Sequence, residues 1–296
     1  MGTRRNFSND EVDRIISMYN DGEPIEVIMD ELGCSYTLLN KVLKENNLGI
    51  RKRNTLKNCN YLKNSTKYNV NEDYFKVIDT PNKAYWLGFI YADGYVSYQY
   101  SKNGNKKNAR FELNLSYLDR EHIIKFLNDI SANYPIVDRQ INGKKSSRVC
   151  ISRMMFVDNL VDNGCFPAKT YILKPPNIPS ELIPHFIRGY FDGDGCAYIN
   201  LEKRNYSFSI TGTKEILEFI KEQSGISKNI NVNKITNENA YSLNIHGKQS
   251  IIMFFDYIYN NKTVYLERKW DKSLQIIDFL IKGEQKDGFK NIEEAS

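Results

Sequence analysis

The chain has 296 residues, 41% of them hydrophobic and 26% charged, with a formal net charge of +5. That is length for about two domains and a large core, and the composition of an ordinary globular protein. No apolar run approaches the roughly 18 residues that cross a membrane, and the opening MGTRRNFSNDEV lacks the apolar core of a signal peptide. Five scattered cysteines (Cys34, Cys59, Cys150, Cys165, Cys196) form no C-x-x-C pair. They read as reduced, structural thiols of an intracellular, cytoplasmic protein rather than as a disulfide framework or zinc site. High Asn, Lys, Ile and Tyr usage suggests an AT-rich genome, as of a bacterial or phage-infected cell. Three dispersed histidines, His122, His185 and His246, argue against a His-metal nuclease finger and against a serine or cysteine triad.

Residues 1–50 read as a small three-helix unit. Ser8 with Glu11 has the spacing of a capping box, and Val12, Ile15, Ile16 and Tyr19 make an apolar face. Gly22 breaks that helix, and Pro24 suits the first turn of a second one carrying Ile25, Ile28, Met29 and Leu32. Gly33 supplies a sharp turn, and Ser35 or Thr37 starts a third helix with Leu38, Leu39, Val42 and Leu43. Helix, short glycine turn, helix is the helix-turn-helix pattern, and the unit resembles the compact DNA-binding domains of resolvases and phage regulators. In such a unit the early exposed residues of the third helix face the major groove. Here they are Ser35, Tyr36, Asn40 and Lys41, with Lys44 placed for a phosphate. A helical hairpin that binds protein is the other reading of the same pattern. The following segment 51–70 carries Arg51, Lys52, Arg53, Lys57, Lys63 and Lys67 without one Asp or Glu, and such a strand can track a DNA backbone. Residues 51–80 are expected to form a basic linker, with a short strand at 73–78.

Thr80-Pro81 then opens an apolar helix that ends at Asp93-Gly94, and a similar helix ends at Asp194-Gly195. Gly88, Asp93 and Gly94 recur 101 residues later as Gly189, Asp194 and Gly195. Both copies look like buried helices closed by a carboxylate and a permissive glycine. Gly88 and Ala92 stand four apart, as do Gly189 and Gly193. Residues four apart share a helical face, so two such strips let helix backbones come close. Packed in that way, the helices bring Asp93 to Asp194. Two carboxylates brought together do not both stay ionised unless a cation sits between them. Mg²⁺ (or Mn²⁺) is the natural candidate, since it shares its shell between carboxylates, water and phosphate. Asp-Gly is also a common turn dipeptide.

After each motif the pattern runs strand, strand, helix, strand, strand, helix. In the first copy strands are expected at 95–100, 109–116, 134–141 and 147–152, and helices at 119–128 and 154–163. The loops fall at 101–108 and 142–145. In the second copy strands are expected at 197–201, 206–211, 230–235 and 240–245, with helices at 214–223, 250–259 and 271–281. The fold class is therefore α+β, two pseudo-symmetric αββαββα repeats (81–180 and 181–296) plus a small all-α domain. Basic residues fall in the strands and loops of both copies: Lys106, Lys107, Arg110, Arg139, Lys144, Lys145, Arg148, Arg153, Lys203, Arg204 and Lys248. As a set they suit duplex DNA, whose major groove admits two-stranded ribbons.

The two copies, WLGFIYADG (86–94) and IRGYFDGDG (187–195), resemble the motif of the LAGLIDADG homing endonucleases in their double-motif, single-chain form. The resemblance covers about residues 72–282. It implies a saddle of two antiparallel sheets on DNA, and metal-dependent cleavage of both strands that leaves 3′ overhangs. It also implies metal binding by Asp93 and Asp194 with help from the carbonyls of Ala92 and Gly193. Tyr91 replaces the family's earlier aspartate in the first copy, whereas Asp192 keeps it in the second; that position belongs to the helix pair rather than to the metal. The family carries a basic residue beside each half of the metal site, which falls here on Lys169 and Lys269, with Arg268 and Lys272 as rivals to the latter. The expected partner is double-stranded DNA, bound by a monomer without membrane or obligate protein partner. The alternative on the same fold is a non-cleaving DNA- or RNA-binding protein, an intron maturase or a repurposed regulator. A self-splicing protein is not expected, because MGTRRN and NIEEAS give neither a nucleophilic start nor a His-Asn finish.

Overall fold

The computed structural model describes residues 7–46 except 22 and 24, residue 48, residues 67–226 except 102, and residues 231–235 and 239–293, with side chains as far as 281. The chain divides into two compact units between Tyr68 and Asn69. In the first, α1 (Asn9–Asn20), α2 (Ile25–Leu32) and α3 (Tyr36–Glu45) enclose a small core of Ile15, Tyr19, Ile25, Ile28, Leu32, Leu39, Val42 and Leu43. The capping box forms as read: Ser8 accepts from the Glu11 amide, and the Glu11 carboxylate accepts from the Ser8 amide at 3.0 Å. Gly33 takes the left-handed conformation (φ +58°) that glycine favours, and Ser35 caps α3. The break expected at Gly22 and Pro24 lies outside the described residues, as do Arg51, Lys52, Arg53, Lys57 and Lys63.

The second unit begins not with the expected strand at 73–78 but with consecutive turns, in which the amides of Tyr74 and Lys76 donate to the carbonyls of Asn71 and Asp73. Tyr74 and Phe75 are both buried. A strand would send adjacent side chains to opposite faces; a turn lets both enter the core.

The two repeats then follow in the order read from sequence. The first has α4 (Pro81–Asp93), β1 (Gly94–Tyr100), β2 (Lys106–Ser116), α5 (Arg120–Asp129), β3 (Val137–Ile141), β4 (Lys144–Ile151) and α6 (Met154–Asp162). The second has α7 (Ile183–Asp194), β5 (Gly195–Asn200), β6 (Asn205–Gly212), α8 (Lys214–Gln223), β7 (Val232–Lys234), β8 (Tyr241–Ile245), α9 (Lys248–Tyr259) and α10 (Glu267–Glu293). The sheets share one topology, β1-β2-β4-β3 and β5-β6-β8-β7, and every pairing is antiparallel. One core runs through both repeats.

Several boundaries move. The β3–β4 turn is only Asn142-Gly143, with φ of +49° and +77°. This is the two-residue hairpin whose twist matches the strands it joins. Lys144 and Lys145 therefore sit on β4, and Lys106 and Lys107 on β2, instead of in loops. Lys248 opens α9 instead of lying on a sheet face or in its loops. Of the described helices, none is long and apolar enough to cross a membrane.

Candidate active site

Two helices buried on nearly all sides meet at the centre of the second unit. Thr80 caps α4, with Pro81 at its start; residues 84–91 are all buried, and in α7 so are residues 185–192. The helices touch backbone to backbone. A β-carbon on Gly88 would stand 2.0 Å from the Phe186 carbonyl oxygen, and one on Gly189 would stand 1.9 Å from that of Tyr85. Farther along, a β-carbon on Gly193 would meet Ala92 Cβ at 2.3 Å and Asp93 Oδ2 at 3.3 Å. The small-residue strips therefore lie face to face, as their four-residue spacing predicts.

The closing glycines serve a purpose other than the one expected. Gly94 (φ −75°) and Gly195 (φ −88°) are extended, a conformation open to any residue. Space is what demands glycine there. A β-carbon on Gly94 would lie 2.7 Å from the Ile90 carbonyl, and one on Gly195 would lie 2.4 Å from that of Phe191. The chain can thus turn directly from helix into β1 or β5, leaving the two aspartates at the point of convergence.

Asp93 and Asp194 keep solvent access but are ringed by protein. Burial raises the Asp194 carboxyl to about 6, and the charge of Asp93 adds to the rise. Burial raises Asp93 too, while Lys269, then Lys169, pull it back. Lys169 donates to the carbonyls of Gly94 (2.6 Å) and Ala92 (3.3 Å). Lys269 donates to the carbonyls of Gly195 and, at 3.5 Å, Phe191. Each lysine thus grips the glycine of its own motif. Burial lowers both lysine pKa values, and nearby carboxylates raise them in part. Lys169 follows Ala168, which is held left-handed at φ +55°, a conformation that costs a non-glycine residue about 1 kcal/mol.

The rivals to Lys269 separate by position. Arg268 reaches the buried Asp119 of the first repeat through both carboxylate oxygens, at 2.8 and 2.9 Å, and Lys272 is half-buried on α10 without reaching the motif in any described contact. Thr213 makes the matching tie on the other side by donating to the Leu173 carbonyl at 2.7 Å. Asp119 precedes α5 and Thr213 caps α8. Each lysine-bearing segment is therefore fastened to the other repeat.

The position of Tyr91 and Asp192 anchors more than the helix pair. Tyr91 donates to the Asn163 carbonyl beyond α6 at 2.7 Å. Asp192 is fully buried and accepts from Tyr85 (2.8 Å), Tyr259 (3.1 Å) and the Leu266 amide (2.8 Å); burial still lifts its pKa to about 6. Tyr85 spends its proton on Asp192, so His122 Nε2, 2.8 Å away, is the donor to Tyr85 Oη. Burial drives the His122 pKa down to about 3, so the ring is neutral, and its Nδ1 has no partner among the described residues. Arg188, also fully buried, donates to the carbonyls of Val264 (2.8 Å) and Ile258 (2.9 Å) and holds the α9–α10 connection. The sequence reading missed this network. Its signal was a single arginine inside the apolar stretch 183–191.

Among the described residues no three His, Cys, Asp or Glu side chains converge. A metal between Asp93 and Asp194 would take its remaining oxygens from carbonyls, water and phosphate, which suits Mg²⁺ or Mn²⁺. Ala92 lends its carbonyl to Lys169, leaving one lone pair for a cation.

The basic set divides. Arg110 and Arg148 (3.1 Å) share Glu112. Lys106 is engaged by Asp158 at 2.7 Å and lies over the Tyr98 ring, and Arg153 pairs with Glu72 at 3.6 Å. These two face their own chain, which removes Arg153 from the open surface. Lys107, Arg139, Lys144, Lys145, Lys203 and Arg204 are exposed. On α3, Ser35, Tyr36, Lys41 and Lys44 are exposed, whereas Asn40 is half-buried with its Oδ1 covered.

Residues 181–259 match a family described as a LAGLIDADG-like domain. The first repeat has the same element order and carries the motif again. The chain is 28% identical over 183 residues to the probable translation initiation factor IF-2 of Methanocaldococcus jannaschii, over 57% of this chain but only 14% of that protein's length. Similar solved structures include the LAGLIDADG meganuclease I-AabMI bound to uncleaved DNA (14% identity, TM-score 0.47, 73% of this chain and 97% of that one). The I-LtrWI LAGLIDADG homing endonuclease bound to target DNA is another (15%, 0.48, 76% and 97%). A third is I-SmaMI bound to an uncleaved DNA target in the presence of calcium ions (14%, 0.44, 71% and 93%).

Proposed function

We propose that this chain, which carries a LAGLIDADG-like domain, is a metal-dependent endonuclease that makes a double-strand break with 3′ overhangs at a long, specific DNA site. The observation that carries the reading is the convergence of Asp93 and Asp194 at the tips of two helices in backbone contact, with the half-buried Lys169 on one side and the buried Lys269 on the other. Mg²⁺ or Mn²⁺ bound there would supply positive charge to a scissile phosphate and a more acidic bound water. The two carboxylates hold that charge in place. Lys169 and Lys269 face the same space from opposite repeats, where an ammonium can neutralise a phosphate oxygen or orient the attacking water. One chain presents both halves, so a monomer suffices to address both strands. The exposed bases of the two sheets hold the duplex, and the N-terminal helical unit extends the contacted site, with α3 toward the major groove and the basic segment along the backbone. The reaction belongs inside the cell, where its DNA is.

The test is Asp93→Asn and Asp194→Asn. The parent is incubated with a duplex library and Mg²⁺, and the ends it creates are sequenced. We expect defined ends with 3′ overhangs from the parent and none from either variant, with DNA binding largely kept. Full cutting by either variant overturns the assignment. Binding without nicking by the parent under every divalent metal leaves the non-cleaving binder instead.

A further inference from the structure

The two sheets share a register but not a charge. Gly94, Leu113 and Val149 form one cross-strand row of the first sheet, and Gly195, Ile210 and Leu243 form the corresponding row of the second. Counting from these rows gives the outward side chains beside them their counterparts. Arg110 falls on Ser207, Glu112 on Ser209 and Arg148 on Ser242. Side chains alternate along a strand. The buried Phe111, Leu113 and Val149 therefore set the charged three on the open face, as Phe208, Ile210 and Leu243 do for the serines. Around the middle of the central strands these three charged residues are thus each a serine on the other face, while Lys106 and Lys144 lie at the strand ends, outside these pairs.

The charged three are also preorganised. Glu112 binds Arg110 and, at 3.1 Å, Arg148, so one carboxylate aims two guanidinium forks. A planar fork already held loses little freedom on binding, and its bidentate match on DNA is the O6 and N7 edge of guanine. On the second face the counterparts are short and neutral, and Asn244 donates to Ser242 at 3.0 Å. An amide matches the N6 and N7 edge of adenine, while a serine hydroxyl suits several edges and compels none.

Resting on the reading that these faces lie in the grooves of a duplex, we propose that the target is asymmetric in base composition. The half-site under the first sheet requires guanine at the positions met by Arg110 and Arg148. The half-site under the second sheet requires none and favours A·T pairs, with adenine opposite Asn244.

The test is selection of duplexes from a random library by binding to the full chain in chelator, so that recognition is read apart from cleavage. We expect guanines confined to one half of the selected site. Arg110→Gln and Arg148→Gln should each relax one of them by roughly tenfold or more and leave the other half unchanged. Ser207→Arg, which does not depend on any loss of function, should create a guanine preference in the opposite half. Guanine preferences in both halves of the parent's site, or guanines indifferent to the arginine variants, would overturn the asymmetry and leave the nuclease reading standing. Failure of the parent to bind any duplex would remove both.

Discussion

Replacing Gly88 with alanine puts a methyl group where the structure leaves no room. Its β-carbon would lie 2.0 Å from the Phe186 carbonyl oxygen and 3.0 Å from the Tyr190 amide nitrogen, and contacts under 3.0 Å are essentially never tolerated. Both neighbours are helix backbone, so no side-chain rotation relieves the clash, and α4 and α7 must part by at least about 1 Å. Two terms then oppose each other. Alanine favours a helix over glycine by about 1 kcal/mol. Overpacking a core costs about 1–3 kcal/mol, occasionally more, and a backbone clash in the middle of the core belongs at the upper end. The net is a loss of about 2 kcal/mol, or roughly 4–8 °C in the melting temperature of a domain this size. Urea unfolding of the full chain, followed by the fluorescence of Trp86 in α4 and Trp270 in α10, measures it. Gly189→Ala should behave alike, since its β-carbon would stand 1.9 Å from the Tyr85 carbonyl oxygen. A Gly88→Ala protein as stable as the parent, or more stable, would show that propensity wins and that the helices do not touch through their backbones.

Arg188→Met should destabilise the protein by roughly 3 kcal/mol or more, because it strands the buried carbonyls of Ile258 and Val264; a loss below about 1 kcal/mol in the same assay would count against that anchoring role. Lys169→Met and Lys269→Met should each slow single-turnover cleavage by roughly 10²-fold or more while DNA affinity, measured in chelator, changes little. A drop in affinity alone would make them ordinary phosphate contacts. The pH profile follows from Asp194, whose carboxyl burial and the charge of Asp93 raise to about 6. A protonated carboxyl does not hold a cation, so cleavage should be level above that pH and fall by about tenfold per unit below it. Added Mg²⁺ should move the break to lower pH, since metal and proton compete for one group. A profile flat down to pH 4.5 would place the metal elsewhere.

What could be read from the sequence was what repeats. Gly88 and Gly189, and Asp93 and Asp194, stand at a common offset, and the helix pair follows from their spacing because a glycine strip has one good use in a buried helix. The succession of strands along the chain followed from alternation and hairpin signals, although their order within each sheet did not, and the turn at Asn142-Gly143 took fewer residues than its polar flanks suggested. What the repeat could not reveal is what differs between its copies. Arg188 matches Leu87 and Asp192 matches Tyr91, and partners such as Ile258, Val264 and Leu266 lie some 70 residues away in the chain. The ties Asp119–Arg268 and Thr213–Leu173 start from equivalent helix starts but join unlike residue types, and their far ends stand one residue before one lysine and four after the other, so no pattern search pairs them. The strand expected at 73–78 failed for a related reason: two adjacent aromatic residues both enter the core, a demand set by packing against α4 and α6 rather than by the local sequence.

In the proposed nuclease, the cross-repeat ties bear on how the two halves would act as one site. Each lysine binds a glycine carbonyl of its own motif, yet the segment that carries it is fastened to the far repeat, Arg268 to Asp119 and Leu173 to Thr213. A half on its own would hold its lysine by the carbonyls alone. Docking the halves adds the second tie and buries Asp119 at the contact, where a carboxylate is unfavourable unless its partner is in place. The same docking brings Asp93 against Gly193 and raises Asp194. The two carboxylates and their lysines are thus completed by one event, the closing of α4 on α7, and loosening the glycine contact should disturb all four groups together rather than any one of them.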